Sequence, residues 1–199
     1  MHRTYMTDAK KLNEEEIQTL SKERLDKANG FVYEKDRRLS LAAGLSFQKA
    51  LKAWGLDPGK EKLGYHKYGK PYLIDHPDIH FNISHSVDMS ICVISDKEIG
   101  CDIEKIRKYD PDIALRCFSK KEMRYIEEGK DKDFAFTRIW TLKESFLKTI
   151  GTGLRDDMNE VSVVSEDGKI EIEESISNRE WNVFIEDLDD YLISIVEEK

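Results

Sequence analysis

The sequence predicts an α+β fold made of two similar halves related by a pseudo-twofold axis, with a cleft between them. The main observation is that a long helical pattern followed by a group of strand patterns occurs twice. A second observation is a faint repeat: "SFQKALKAW" at 46–54 resembles "SFLKTIGTG" at 145–153, and "SICVIS" at 90–95 resembles "SIV" at 194–196. Chance similarity between two amphipathic helices is the alternative explanation.

The first half is expected to start with helices and to continue with strands. Asn13 before "EEE" is a typical helix start, and this helix is predicted to run to about Lys27. A longer helix is predicted over about 33–54 and ends at "GLDPG". "YGKPYL" is a turn leading into a short strand, and "HFNIS" and "MSICVIS" form two strands joined by the turn-like "HSVD".

The stretch "IGCDIEKIR", residues 99–107, is predicted to be the next strand. Gly100, Asp102 and Glu104 occupy every second position, with apolar residues between them. The period of two gives one apolar face and one exposed polar face with two carboxylates. Like charges on one face repel each other, so a positive group is expected between them. A plain solvent-facing strand edge is the alternative.

Two helices and four strands complete the predicted elements. The helices cover 119–128 and about 134–150, and the antiparallel strands are "VSVVS", "KIEIEE", "WNVFIED" and "YLISIVEE". The core-facing side of the last helix consists of Ile139, Leu142, Phe146 and Ile150.

The last predicted helix also carries a polar stripe. Trp140, Glu144 and Lys148 are spaced i, i+4 and i+8 and lie beside the apolar face. A solvated surface pair is the alternative for Glu144 and Lys148. Lys143 falls inside the apolar arc, so its side chain is expected either to reach out to solvent or to meet an anion.

Composition and charge exclude several classes of protein. The 199 residues are 39% hydrophobic and 36% charged, which is typical of a folded globular chain. The net charge of −8 is uneven, because residues 156–199 contain 15 acids against 3 bases. A dense basic stripe, an apolar run long enough for a membrane and a secretory signal are all missing from the sequence, so neither nucleic acid nor membrane is an expected partner.

The cysteines indicate the expected compartment. Cys92, Cys101 and Cys117 have no CxxC spacing, and two of them lie in apolar strand patterns. Free thiols in a reducing cytoplasm are therefore expected, and a zinc site is not.

Three carboxylates, Asp102, Glu104 and Glu144, make up a candidate metal site. Carboxylate oxygens are hard ligands that suit Mg²⁺, which commonly takes its other ligands from substrate phosphates and water. Residues that could bind such phosphates are Lys70, Ser84, His85, Lys143 and Lys148.

Five motifs occur in the order and close to the spacing of one family: "GKPYL", "FNISHS", "IGCDIE", "FSKKE" and "WTLKESFLK". With them the sequence resembles the Sfp-type 4′-phosphopantetheinyl transferases, which move the phosphopantetheine arm of coenzyme A to a serine of a carrier protein. The resemblance extends from about Ser21 to Leu154. Cys101 and Ser145 stand where the family often has an aliphatic residue and alanine, and both are small enough to leave the chemistry intact.

The resemblance implies roles for individual residues. Asp102, Glu104 and Glu144 match the Mg²⁺ ligands, and Glu144 and Lys148 form the implied catalytic pair, with Lys148 on the pyrophosphate. The other implied coenzyme contacts are Lys143, Ser84 and His85 near the phosphates, Lys70 at the adenine side, and Arg24, Lys27, Arg38 and Ser40 towards the 3′-phosphate and adenosine.

The resemblance also implies a reaction and an architecture. The carrier's serine hydroxyl attacks the β-phosphorus of coenzyme A, and 3′,5′-ADP leaves. Glu144 would take the serine proton, either directly or through a metal-bound water. The implied halves are residues 1–100 and 101–199, with coenzyme A in the cleft between them, and the chain is expected to be a monomer.

Two other functions remain open at this point. A metal-dependent phosphohydrolase would use the same carboxylates, but the joint presence of "GKP", "NISHS" and "KESFLK" argues against it. A non-catalytic coenzyme A or carrier-binding homologue would have a decayed site, whereas the three acids and Lys148 are all present.

Residues 105–124 are the expected docking segment for an acidic carrier protein. A solvated loop and helix is an equal alternative, and Glu122 in this segment could either support the site or cap a loop. The bases of the segment are Lys105, Arg107, Lys108, Arg116, Lys120, Lys121 and Arg124, and the expected apolar contacts are Phe118 and Met123.

Overall fold

The computed structural model describes residues 1–153, 158–177 and 179–199, so Leu154, the end of the resemblance, lies outside the described residues. The chain forms two compact units, Met1–Lys97 and Glu98–Lys199. Both units combine helices with antiparallel sheet, which confirms the predicted α+β class. The pseudo-twofold axis, the cleft and the exact limits of the halves stay predictions.

The first unit packs the long helix α3 on a sheet with the strand order β1-β5-β4. Strands β2 and β3 form a separate hairpin. The core between α3 and the sheet includes Leu51, Phe81, Cys92 and Ile94. The elements are β1 Arg3–Asp8, α1 Glu14–Gln18, α2 Lys22–Asn29, α3 Glu34–Ala53, β2 Leu63–Tyr65, β3 Pro71–Leu73, β4 His80–Ser86 and β5 Met89–Ser95.

The single helix predicted from Asn13 to Lys27 is wrong, because two capped helices occupy this stretch. The Asn13 side chain caps α1 as expected by accepting from the Glu15 amide. The chain then leaves the helix, and the Ser21 side chain caps α2 by accepting from the Arg24 amide. A second capping residue inside the predicted helix therefore divides it.

The second unit packs the long helix α6 on a sheet with the strand order β6-β10-β9, and β7 pairs with β8. Ile139, Leu142 and Phe146 are fully buried, which confirms the predicted core face of α6, and Ile150 is partly buried. The elements are β6 Ile99–Lys105, α4 Pro111–Cys117, α5 Lys120–Glu128, α6 Lys132–Ile150, β7 Ser162–Val164, β8 Ile170–Glu173, β9 Trp181–Leu188 and β10 Tyr191–Glu198.

Both units have the same chain topology. A first strand is followed by the long helix and then by a hairpin whose second strand takes the centre of the sheet: β1, α3, β4–β5 in one unit and β6, α6, β9–β10 in the other. The repeated sequences lie at equivalent places, in α3 and α6 and in the central strands β5 and β10. The faint repeat in the sequence thus coincides with a repeat of topology.

The cysteines agree with the sequence-based expectation of free thiols. All three cysteines are free thiols, and Cys92 and Cys101 are buried on strands. Within the residues that the structure describes, none of the helices has the length and apolar character that crossing a membrane requires.

Helix α6 lies directly on β6 at Gly100. A Cβ atom at this position would come within 3.0 Å of the Ser145 carbonyl oxygen and the Thr149 amide nitrogen, a separation that real Cβ atoms essentially never show. Since Gly100, Asp102 and Glu104 share one face of the strand, this face is covered by α6. The expectation of an exposed polar face is therefore wrong, and Asp102 is buried.

We predict that Gly100→Ala destabilises the second unit by about 1–3 kcal/mol, because the new methyl group meets backbone atoms that cannot rotate away. Urea unfolding followed by circular dichroism measures the change. Gly30→Ala is the control, since the nearest atom to its added Cβ is the Lys27 carbonyl oxygen at 3.4 Å. Equal unfolding midpoints for Gly100→Ala and the wild type would contradict the close contact.

Candidate functional site

Asp102, Glu144 and Lys148 form the centre of the candidate site. Strand β6 turns Asp102 towards α6, where the Lys148 Nζ donates a hydrogen bond of 2.6 Å to Asp102 Oδ1. The same ammonium lies 4.0 Å from Glu144 Oε2, one helical turn earlier. The side chains are 4% exposed for Asp102, 13% for Glu144 and 29% for Lys148. The carboxylates are therefore more enclosed than the lysine side chain, which is partly exposed.

Burial and the charges of neighbouring residues shift the pKa of Glu144. Burial raises the pKa of the Glu144 carboxyl to about 7, and the negative charges of Asp102 and Glu104 act in the same direction. Lys148 and Arg107 oppose the shift with their positive charges. The structure thus brings the three predicted carboxylates into electrostatic reach of one another.

Lys148 provides the positive charge that the sequence pattern requires. Burial on its own lowers the pKa of Lys148, but the charge and hydrogen bond of Asp102, together with Cys101 and Glu144, outweigh this effect and raise the pKa overall. Lys148 therefore carries its charge at neutral pH. In this structure, the positive group between Asp102 and Glu144 is an ammonium.

The donor chemistry of the site fits a hard divalent cation. Asp102, Glu104 and Glu144 offer carboxylate oxygens only, and the position between two of them accepts a positive charge. Within 1–153, 158–177 and 179–199, however, no three His, Cys, Asp or Glu side chains stand close enough together to hold a metal. A cation would need the carboxylates to draw together, and the Mg²⁺ site stays a prediction.

Lys143 belongs to a second ion pair, which is completely buried. Its Nζ donates to Glu122 Oε1 and Oε2 at 2.9 and 2.8 Å and also to the Val161 carbonyl oxygen. Burial lowers the pKa of Lys143, and the charge of Glu122 opposes this shift. Of the two alternatives expected for Lys143, solvent or an anion, the structure shows an anion, Glu122. A contact with coenzyme would require this pair to separate.

Glu122 connects three elements of the second unit. Besides Lys143 of α6, its carboxylate accepts from the Ser119 amide at 2.7 Å and from the Val163 amide at 2.8 Å. The Ser119 side chain in turn accepts from the Glu122 amide, which completes a capping box at the start of α5. Glu122 therefore both caps α5 and fixes α5 and β7 to α6.

Arg107 is a neighbour of Glu144 that the sequence pattern assigned only to docking. Its guanidinium carbon lies 4.3 Å from the centre of the Trp140 ring, one turn before Glu144 on α6. Nε and Nη2 are buried and have no hydrogen-bond partner among the described residues. The position of Trp140 in the polar stripe was the signal that an aromatic platform lies beside the site.

The expected docking segment is only partly available to a partner. Phe118 is 4% exposed and packs in the core, so its assignment to apolar docking contacts is wrong, and Met123 is partly buried against the same cluster. Lys121 forms ion pairs with Glu173 at 2.5 Å and Glu166 at 3.4 Å. The bases of the segment that are exposed are Lys108, Arg116, Lys120 and Arg124.

Both arginines that were predicted to contact coenzyme already have structural roles in the first unit. The Arg24 side chain fills the space beside Gly44 of α3, and burial lowers the pKa of its guanidinium while Tyr65 opposes the shift. The Arg38 Nε donates to the Ala9 carbonyl oxygen at 2.8 Å. Both side chains therefore help to hold the first unit together.

The other predicted coenzyme contacts of the first unit differ in exposure. Lys27 is exposed near the end of α2, whereas Ser40 is buried in α3. Lys70 is half-buried just before β3. On β4, Ser84 is buried and its neighbour His85 is exposed. The structure thus leaves Lys27 and His85 the most accessible members of this set.

Comparison with known proteins gives consistent matches. Residues 98–196 match the family model of the 4′-phosphopantetheinyl transferase superfamily. A 4′-phosphopantetheinyl transferase of Bacillus subtilis is 38% identical over 159 residues, which cover 77% of this chain and 70% of the relative. The 4′-phosphopantetheinyl transferase Sfp of Bacillus subtilis strain 168 is 36% identical over 166 residues, covering 81% and 74%. The crystal structure of Thermotoga maritima holo-[acyl-carrier-protein] synthase is 21% identical, with a TM-score of 0.45 over 51% of this chain and 62% of that chain.

We predict that, in metal-free protein, the free energy of unfolding of the Glu144→Gln variant increases relative to that of the wild type as the pH rises. The carboxyl has a pKa of about 7 when folded and an ordinary value of 4.5. Between these values the folded state holds a proton that the unfolded state has lost, so wild-type stability falls as the pH rises. Glutamine has no such proton, and the difference in unfolding free energy should grow by about 3 kcal/mol.

Urea unfolding in EDTA at several values between pH 4.5 and pH 7.5 measures this difference. Glu127→Gln is the control, because Glu127 lies on the surface and pairs with Lys132. A Glu144→Gln difference that stays constant across the pH range would contradict the raised pKa.

Proposed function

The chain belongs to the 4′-phosphopantetheinyl transferase superfamily, and we propose that it transfers the phosphopantetheine arm of coenzyme A to a carrier-protein serine. The observation that carries the proposal is the cluster of Asp102, Glu144 and Lys148 at the contact between α6 and β6. This cluster lies within the residues that match the family and has the charges that pyrophosphate chemistry needs.

Lys148 is proposed to bind the pyrophosphate and to stabilise the charge that develops during transfer. Negative charge grows on the bridging oxygen and on the phosphoryl oxygens as the bond to 3′,5′-ADP breaks. An ammonium already placed in a partly buried site stabilises this charge more effectively than water does. The 29% exposure of the Lys148 side chain supports contact with a ligand.

Glu144 is the proposed base for the serine hydroxyl. The serine oxygen forms a bond to the β-phosphorus, its proton passes to Glu144 directly or through a water, and 3′,5′-ADP leaves with the electrons of the broken bond. A base is most effective when its pKa is near the working pH. The pKa of about 7 belongs to the metal-free carboxyl and a bound cation would lower it, so the support for this role is the position of Glu144 beside Lys148 and Asp102.

Mg²⁺ is the proposed cation, and Asp102, Glu104 and Glu144 are its proposed protein ligands. When bound, it supplies positive charge that stabilises the pyrophosphate. The support is the chemistry of the three carboxylates and the repulsion of Glu144 by Asp102 and Glu104. Within the chain itself, these acids are held in place by the packing of β6 under α6.

The acceptor, the oligomeric state and the cellular compartment are also proposals. The acceptor is a carrier protein, and the chain acts as a monomer in the cytoplasm, where three free thiols would be stable. Lys143 is left out of the proposed coenzyme contacts because of its buried pair with Glu122. In the first unit, Ser84 and His85 are proposed to contact the coenzyme phosphates and Lys70 the adenine side. The residues proposed for the 3′-phosphate and adenosine are Arg24, Lys27, Arg38 and Ser40.

The first test incubates the purified chain with coenzyme A, Mg²⁺ and a panel of apo-carrier proteins and then weighs the carriers. We expect a mass gain of one phosphopantetheine and the release of 3′,5′-ADP. Asp102→Asn should lower the rate by roughly a hundredfold or more, because it removes the negative charge that holds the Lys148 ammonium in the site. Coenzyme A hydrolysis without carrier labelling would indicate a phosphohydrolase, and tight binding without chemistry would indicate a binding homologue.

A second test of the proposed function is the Lys148→Ala variant. We expect kcat to fall by roughly a hundredfold, or about 3 kcal/mol, while the Kd for coenzyme A changes much less. Lys132→Ala on the same helix is the control, since Lys132 is exposed and pairs with Glu127. A variant with a normal kcat and a raised KM for coenzyme A would assign Lys148 to substrate binding alone.

A further inference from the structure

Arg107 follows the end of β6 and is held along α6. Its amide donates a hydrogen bond of 3.1 Å to Thr137 Oγ1. Its guanidinium carbon lies 5.1 Å from the centre of the Phe136 ring and 4.3 Å from that of the Trp140 ring, within the distance at which an aromatic face attracts a cation. The side chain is therefore packed against α6 and does not extend freely into solvent.

The guanidinium of Arg107 has two donors that need an acceptor. Nε and Nη2 are buried, and neither has a hydrogen-bond partner in the part of the chain that the structure describes. The N–H groups of these two atoms lie along one edge of the planar guanidinium, and such an edge forms paired hydrogen bonds with a carboxylate. Buried charged donors without an acceptor are costly, so an anion is expected at this edge. A residue that only docks a partner would instead present its donors to solvent.

Glu144 is the carboxylate that Arg107 is placed to meet. Trp140, on which the guanidinium stacks, precedes Glu144 by four residues, so the two side chains are neighbours on the surface of α6. The charge of Arg107 reaches the Glu144 carboxyl and opposes the rise of its pKa. Lys148 approaches Glu144 Oε2 to 4.0 Å, which is longer than a hydrogen bond, so this ion pair does not fix the orientation of the carboxylate.

We propose that Arg107 is a positioning residue for Glu144: its Nε and Nη2 donate to the Glu144 carboxylate and fix the direction in which that carboxylate faces the reacting groups. The stacking on Trp140 holds the guanidinium at the height of Glu144, and the bond to Thr137 anchors its backbone. Arg107 acts through Glu144 and needs no contact of its own with coenzyme or carrier. The inference rests on the proposed function, because that function gives Glu144 the serine proton.

The first test is a double-mutant cycle of Arg107→Met and Glu144→Gln, measured by urea unfolding of the full chain in EDTA at pH 8.5. The double variant should be about tenfold more stable, in its unfolding equilibrium constant, than the two single changes predict together, which corresponds to about 1.4 kcal/mol. Arg138→Met with Glu144→Gln is the control cycle. Arg138 also has a buried Nε without a partner among the described residues, but its guanidinium lies over Phe134 near the start of α6, so its effect should add to that of Glu144→Gln.

The second test measures transfer to an apo-carrier protein. Arg107→Met should lower kcat by about tenfold and leave the KM values for coenzyme A and carrier close to those of the wild type. Arg107→Lys keeps the charge but lacks the paired donors, so it should recover only part of the loss. Methylguanidinium added to Arg107→Ala should restore part of kcat and should have no effect on Arg138→Ala. In a Glu144→Gln background, Arg107→Met should cause no further loss.

Three outcomes overturn the proposal: additive effects of Arg107→Met and Glu144→Gln on unfolding, a raised KM for carrier with an unchanged kcat, which would assign Arg107 to docking, or a further loss of kcat in the double variant. Arg107→Gln replaces the Met variant if circular dichroism shows that the latter is unfolded. The unfolding cycle is independent of the transfer assay. A chain that shows the expected coupling but labels no carrier would overturn the proposed function and leave the pairing of Arg107 with Glu144 intact.

Discussion

The contact of α6 with β6 at Gly100 determines where the residues of the candidate site lie. With only a hydrogen at position 100, the backbone of α6 at Ser145 and Thr149 rests on the strand. Glu144 and Lys148 directly precede these two residues and are therefore delivered to Asp102, two positions further along β6. A hydrogen bond of 2.6 Å between a strand and a helix tolerates little displacement, so the site depends on this glycine.

The opposite side of α6 is held by the pair of Lys143 and Glu122. Glu122 also accepts from the amides of Ser119 and Val163, so one carboxylate joins α5, α6 and the start of β7. Lys143 and Glu144 are adjacent in sequence but turn to different partners. The rotation of α6 about its axis is thus fixed from two directions, and a buried pair fixes it firmly because breaking such a pair is costly.

Local spacing predicted most of the site, because its residues share periodic elements. The period of two placed Asp102 and Glu104 on one face, and the helical period placed Glu144 beside Lys148. The exposure of the β6 face was predicted wrongly, since a distant helix decides it. For the same reason the sequence left open whether Lys143 reaches solvent or an anion and could not identify Glu122, 21 residues away. Strand β1 was missed because its pairing with β5 spans most of the unit.

Two of the three lysines of α6, Lys143 and Lys148, have different roles because their environments differ. Both meet carboxylates, but burial lowers the pKa of Lys143, whereas Asp102 overcomes burial and raises the pKa of Lys148. The enclosed ammonium is surrounded by acceptors of the chain itself and serves the packing of three elements. The Lys148 side chain is partly exposed and lies beside the carboxylates of Asp102 and Glu144. Exposure, and not residue type, therefore separates the lysine that holds the packing together from the one that is proposed to contact the pyrophosphate.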